Sequence, residues 1–260
     1  MEIRESRVRY ALILQYDGTE YSGFQIQDNA NSVQAELEKA IKILTREDIR
    51  VTAAGRTDAG VHALGQVVHF DVHNEIWTER LCIGLNGILP YDIAVKRAFA
   101  VDTSFHARYS ALAREYVYVI YNHPYKSPFM RYRAMWVREP VDVEFCRKAA
   151  EHCIGEKDFA SFCKKTSAGE NTMRYIEYIT VERMLDTLVV FTIKGNAFLH
   201  NMVRILVGTI LQLMKEGKSP DTMQTILKQC DRTYSGITAP AYGLYLKKVY
   251  YPEKYNFLNV

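Results

Sequence analysis

Ala53-Ala-Gly-Arg-Thr-Asp-Ala-Gly-Val-His-Ala-Leu-Gly-Gln-Val-Val-His-Phe70 is the stretch around which the chain is organised. Its flanks, 49–54 and 66–73, read as strands, and between Gly55 and Gly60 it sets Arg56, Thr57 and Asp58 on a turn carrying one carboxylate. Glycine on both sides allows positive φ and a close approach by another molecule. An aspartate on a loop braced by two strands is poised as an acid, a base or a nucleophile. An isolated Asp-Ala-Gly would ordinarily be a turn in which the carboxylate bonds its own backbone, so the surroundings decide between the two readings.

Upstream of that turn, Val8–Tyr16 alternates as a strand and leads through Asp17-Gly18-Thr19 to Tyr21 and Phe24, two aromatics placed where a pocket rim could be. A helix follows, capped by Asn31 or Ser32, with Gln34 placed for a capping box and Val33, Leu37, Ile41 and Leu44 on one face. Downstream, a helix over 78–88 stopped by Pro90 and a strand over 92–101 complete a β-α-β-β-α-β series. That order predicts a ferredoxin-like half over 1–103. Residues 104–260 run in a similar order. Strands are expected over 111–122, around Met135, over 175–183, 188–194 and 242–250, with helices over 143–153 and 198–215 and after Ser219-Pro220. The fold class expected is α+β, two ferredoxin-like halves sharing a mostly antiparallel sheet with helices on one side, and, on the other, a basic RNA-binding cleft for which the cations clustered in 104–138 are the candidates.

Composition narrows the function. The 260 residues, 48% of them hydrophobic, suffice for a substantial core. No run of about 18 apolar residues offers a membrane span, and the first residues lack the apolar core of a signal peptide, so a cytoplasmic location is expected. The five cysteines include no Cys-x-x-Cys and read as buried thiols. His69 and His73 are four apart on a predicted strand, a spacing that aligns metal ligands on a helix instead, so no metal site is expected. The net charge is +3, yet residues 104–138 hold Arg108, Arg114, Lys126, Arg131, Arg133 and Arg138 against Glu115 alone. Among these cations stand Tyr109, Tyr116, Tyr118, Tyr121, Tyr125, Tyr132, Phe105, Phe129 and Trp136. This mixture suits unpaired or distorted RNA, and equally a strand pair with aromatic cross-strand contacts and a solvated basic face.

In the long carboxy-terminal helix the apolar stripe Leu199, Met202, Val203, Leu206, Ile210 and Leu213 leaves Arg204 at its edge, a turn after His200, where it could be solvated or could reach a cleft. Gly217-Lys218-Ser219 has Gln212 where a phosphate loop needs glycine. Gly-x-Gly-x-x-Gly, His-Glu-x-x-His and Gly-x-Ser-x-Gly do not occur, so nucleotide, zinc-protease and serine-hydrolase chemistries lack their groups.

The block from Gly55 to His62, followed by Gly65-Gln66-Val67, closely resembles the signature of the TruA family of tRNA pseudouridine synthases. Lys194–Arg204 is similar to a second motif of that family, Arg114-Glu-Tyr-Val-Tyr118 to its Arg-x-Tyr-x-Tyr strand, and Gly243-Leu-Tyr-Leu246 to a pocket-lining strand. The resemblance runs from about Tyr16 to Tyr250. It departs at Phe24, where many members carry Trp, and at Glu115, where a basic residue is common and whose charge weakens the local positive field; the stretches around Phe145 and Lys165 carry no motif.

The resemblance implies that Asp58 is the catalytic carboxylate, that Arg204 pairs with it, that Tyr116 stacks on the target base, and that Arg56 and Leu244 help hold the substrate. It implies a homodimer, each tRNA bound across both subunits, and pseudouridine formation at positions 38, 39 and 40 of the anticodon stem-loop. The reaction is redox-neutral, and no cofactor is expected. Asp58 would attack either C1′ or C6 of a flipped-out uridine.

Overall fold

A computed structural model describes residues 7–163 and 171–259. Lys165 and the amino-terminal residues 1–6, read above for a family motif and for a targeting segment, lie outside the described residues. Packing divides the chain into two compact units: one runs to Leu112 and takes in the chain from Leu246 onward, the other is Ala113–Tyr245. Element order, which sets the halves at 1–103 and 104–260, is thus a different division from packing, because the last strand returns to the first unit.

The first unit contains β1 (Val8–Tyr16), α1 (Val33–Thr45), β2 (Thr52–Ala53), β3 (His62–Val72), α2 (Thr78–Ile88) and β4 (Ile93–Val101). β1 pairs antiparallel with both β4 and β3. Val68 on β3 faces Leu12 of β1 and Ala53 of β2, so β2 takes the opposite edge of β3, giving the order β4-β1-β3-β2. This is a ferredoxin-like sheet. β1 does not alternate as expected: Tyr10 to Leu14 are buried without a break, as befits a central strand covered on both faces.

β2 is far shorter than the strand predicted over 49–54, because α1 intercepts the backbone before it. Val51 donates its N–H to Glu38 Oε1 at 2.9 Å and accepts from Gln34 Nε2 at 3.2 Å. Those bonds replace ladder bonds. They also occupy Gln34, which closes no capping box. Ser32 is the N-cap, accepting from Ala35 N at 3.2 Å, and this puts Gln34 one position short of the residue that would reach back. α1 meets α2 where Gly84 leaves room, since a Cβ there would lie 2.8 Å from Leu44 Cδ1.

The second unit contains β5 (Ala113–Asn122), β6 (Met135–Val137), α3 (Val143–Glu151), β7 (Gly155–Asp158), β8 (Met173–Met184), β9 (Leu188–Gly195), α4 (Met202–Lys215) and α5 (Thr222–Gln229), and ends on the start of β10 (Leu244–Tyr250). β9 lies antiparallel between β5 and β8, and β7 extends the far edge of β8. β6 pairs with β5 in parallel. With β6 and β7 set aside as additions, the order β5-α3-β8-β9-α4 repeats β1-α1-β2-β3-α2, and the pairing β5-β9-β8 repeats β1-β3-β2, so the second ferredoxin-like half is present in strand pairing as well as in order. β7 had no counterpart in the sequence reading. Its polar Gly155-Glu-Lys-Asp158 carries no apolar alternation, as edge strands often do not.

α4 begins at Met202, four residues later than the predicted start, because Asn201 is left-handed at φ 64°. His200 therefore precedes the helix and is not one turn before Arg204 on it. Cys146, Cys153 and Cys163 are buried as expected, whereas Cys82 is half-buried and Cys230 exposed.

Candidate active site

The turn between β2 and β3 is clamped by the loop that follows β1. Phe24 N donates to Thr57 O at 3.1 Å and Gly60 N to Tyr21 O at 3.2 Å. Two glycines make the approach possible. A Cβ at Gly18 would lie 2.0 Å from Val61 O, and one at Gly23 would lie 2.7 Å from Thr57 O and 3.3 Å from the Asp58 carbonyl carbon. Gly60 has φ 75°, and Val61 N bonds Asp58 O at 3.1 Å to close the turn. Gly55 is the exception to the sequence reading. Its φ is not left-handed, and a Cβ there would meet nothing within 4 Å.

Within the turn, burial alternates sharply: Arg56 is exposed, Thr57 is buried, and Asp58 is half-buried. Thr57 Oγ1 and Tyr16 Oη share a hydrogen bond of 2.7 Å, while Gln66 Nε2 donates to Gly55 O at 2.9 Å. Burial pushes the Tyr16 hydroxyl up to about 12, against the opposing bonds from Thr57 and Gln66, so it stays protonated at neutral pH. His62, also buried, accepts from Gly18 N at 3.0 Å through Nδ1. Tyr21 and Phe24 are not rim residues: both are buried, with Tyr21 Oη donating to Asp92 Oδ1 at 2.7 Å and Phe24 packing on Tyr16 at 6.1 Å between ring centroids. A loop with two aromatics gave no sequence signal for which way they point.

In the second unit, strand alternation sets Arg114, Tyr116 and Tyr118 on one face of β5. Tyr116 is 9% exposed and meets Phe198 edge-on, with ring centroids 5.0 Å apart. Tyr118 is fully buried, donates to Pro240 O at 2.8 Å, and fills the space beside Gly243, where a Cβ would come within 2.7 Å of its ring. Leu244, buried, follows directly. Glu115 is 3% exposed and lies on the opposite face of the strand from Arg114, Tyr116 and Tyr118. Of the aromatics in 104–138, Phe105 and Tyr118 belong to the core, whereas Tyr109, Tyr125 and Phe129 are exposed.

Arg204 is no solvated snorkelling side chain. Nε donates to Ala239 O at 2.8 Å and one terminal nitrogen to Asn201 Oδ1 at 2.7 Å. Ala239 N returns a bond to Arg204 O at 3.1 Å. The left-handed Asn201 thus both delays the helix and grips the guanidinium from one side. Sequence reasoning missed Tyr16, Gln66, Asn201 and Ala239 as contributors. The signal that could have flagged three of them was position, since Gln66, Asn201 and Ala239, the last in Thr238-Ala-Pro240, lie inside stretches that fit the family.

A family model described as tRNA pseudouridine synthase matches residues 12–110 and 149–252. The tRNA pseudouridine synthase A of Brevibacillus brevis is 43% identical over 243 residues, covering 94% of this chain and 99% of that one. The Shewanella amazonensis protein of the same name is 44% identical over 252 residues, covering 95% of each. The chain belongs to the family of tRNA pseudouridine synthases and is an isomerase that acts on uridine in tRNA.

Proposed function

We propose that the chain forms pseudouridine at positions 38, 39 and 40 of the anticodon stem-loop, with Asp58 as the attacking carboxylate. The observation that carries this reading is the turn itself, whose neighbours Gly55 and Thr57 are tied inward while Arg56 is exposed and Asp58 half-buried between core and solvent. In the proposed reaction the N1–C1′ bond breaks, the uracil rotates, C5 bonds to C1′, and the C5 proton leaves for water while N1 gains one. Asp58 opens the sequence by attack at C1′ or at C6. Arg56 holds the extruded nucleotide or the space it leaves, Tyr116 stacks on the uracil, Leu244 lines the pocket, and Arg204 pairs with the carboxylate to keep it ionised and aimed. The gripped geometry of Arg204 supports that last role, since a guanidinium held on two sides is preorganised for a third partner.

The chain is proposed to act as a cytoplasmic homodimer with each tRNA held across both subunits, without a redox cofactor because the isomerisation moves no net electrons, and without a metal because the sequence offers no cluster of ligands for one. The test uses an anticodon stem-loop labelled with tritium at uridine C5. Release of label to water is expected when uridine occupies positions 38 to 40, and its absence when those positions hold cytidine. Equal release from the substituted RNA would overturn the site assignment. A rate lost in EDTA and restored by a divalent ion would overturn the metal-free mechanism.

A further inference from the structure

The residues on either side of Arg56 are tethered to a single buried cluster. Gln66, fully buried on β3, holds Gly55 O at 2.9 Å. Tyr16, at the end of β1 and 4% exposed, holds the Thr57 hydroxyl at 2.7 Å. The Gln66 side chain also bonds the Tyr16 hydroxyl, so the two tethers are one network. The phenol ring already packs against Phe24, and for that purpose phenylalanine would serve. Burying the extra hydroxyl costs desolvation that only its hydrogen bonds offset. A core built solely for stability has no need of it.

We propose that Tyr16, Thr57 and Gln66 are positioning residues for the isomerisation. They draw the backbone inward at Gly55 and Thr57, and thereby present Arg56 and Asp58 on the outer side of the turn at a fixed spacing. None of the three touches the uridine. The inference rests on Asp58 being the attacking group, and the two ideas fail separately: turnover by Asp58→Asn sinks the mechanism, whereas a dead Asp58→Asn beside a fully active Tyr16→Phe sinks only the positioning role.

Stability and positioning are separated by a double variant. Tyr16→Phe leaves the buried Thr57 hydroxyl without its Tyr16 partner, and Thr57→Val leaves the Tyr16 hydroxyl with Gln66 alone; the double variant removes both hydroxyls while Gln66 keeps its bonds to Gly55 O and Val67 N, so thermal stability should recover in the pair. Catalysis should not recover. Single-turnover rates of Tyr16→Phe, Thr57→Val and the double variant are each expected to fall about tenfold to a hundredfold, with KM for tRNA kept within about threefold, the loss that follows a displacement of order 1 Å. Thr57→Ser, which retains the hydroxyl, should restore the rate to within about threefold of wild type. The proposal is overturned if the double variant regains rate together with stability, if Thr57→Ser is as slow as Thr57→Val, or if Tyr16→Phe turns over at the wild-type rate.

Discussion

At the scale of the residue, the chemistry is carried by few atoms, and conservative replacements isolate them. Asp58→Asn keeps the volume of the side chain and removes its nucleophilicity, so turnover should fall below roughly a thousandth of wild type while tRNA affinity stays within a few-fold. Rapid-quench turnover and filter binding on the same preparation check both halves. Tyr116 admits a finer division, because its ring is edge-packed on Phe198 and only 9% exposed. Tyr116→Ala should weaken tRNA binding by about 1 to 3 kcal/mol, the usual worth of a base-aromatic stack, whereas Tyr116→Phe should bind normally. If the hydroxyl takes the C5 proton, the Phe variant will also be slow in a single turnover; a wild-type single-turnover rate would leave Tyr116 as a stacking surface. If Arg204 pairs with Asp58 as proposed and the pair is desolvated, Arg204→Ala should cost about 3 kcal/mol in kcat/KM, and a fully active variant would remove it from the mechanism.

Secondary-structure elements matter here chiefly through how closely they approach. The loop after β1 reaches the Asp58 turn only because Gly18 has no side chain, since a Cβ would lie 2.0 Å from Val61 O. Gly18→Ala must move the turn, and a shift of order 1 Å predicts about a hundredfold loss in kcat with tRNA binding largely kept. Gly87 is the internal comparison, exposed on α2 with nothing within 4 Å of a Cβ. Gly87→Ala should stabilise the protein by about 0.5 to 1 kcal/mol through helix propensity and leave turnover unchanged. Urea denaturation and tritium release measured on both variants test the contrast between a glycine needed for approach and one that is not.

For the whole molecule, acid stability is set in part by His69, buried on β3, whose Nδ1 accepts from Ala107 N at 3.1 Å. Burial, then the nearby Arg9 and His106, lower its pKa to about 4, against a smaller opposing pull from Asp71. The unfolded chain, with an ordinary histidine near 6.5, therefore binds a proton that the folded chain refuses. Stability from this group is complete above about pH 6.5 and declines as the pH falls towards about 4, by roughly 3 kcal/mol in all. Asp71, held below the usual carboxylate range first by its bond to Arg9, contributes in the same direction but only at lower pH. Urea unfolding at several pH values between 4 and 7 should show a steeper decline for wild type than for His69→Asn, which keeps an acceptor without the titration. Parallel curves would assign the slope to other groups.

What the sequence alone determined is whatever local pattern dictates. Apolar periodicity placed α1, Pro90 marked where α2 must stop, turn residues bounded the strands, and the glycine-flanked Gly55–His62 block singled out Asp58 as a candidate. The spacing of Arg114, Tyr116 and Tyr118 likewise gave their shared face, because alternation is a property of any strand. Contacts between distant parts of the chain were not legible. Tyr16 and Thr57 are 41 positions apart, Arg204 and Ala239 are 35 apart, and no pattern along the chain pairs them. Nor could it show that Glu38 and Gln34 would take the backbone of Val51 and shorten β2, or that Asn201 would turn left-handed and hold Arg204. Hydrogen bonds made by buried polar side chains depend on which groups the fold leaves without water. That is decided when the strands pair and the loops close over them, and only the tertiary structure contains it.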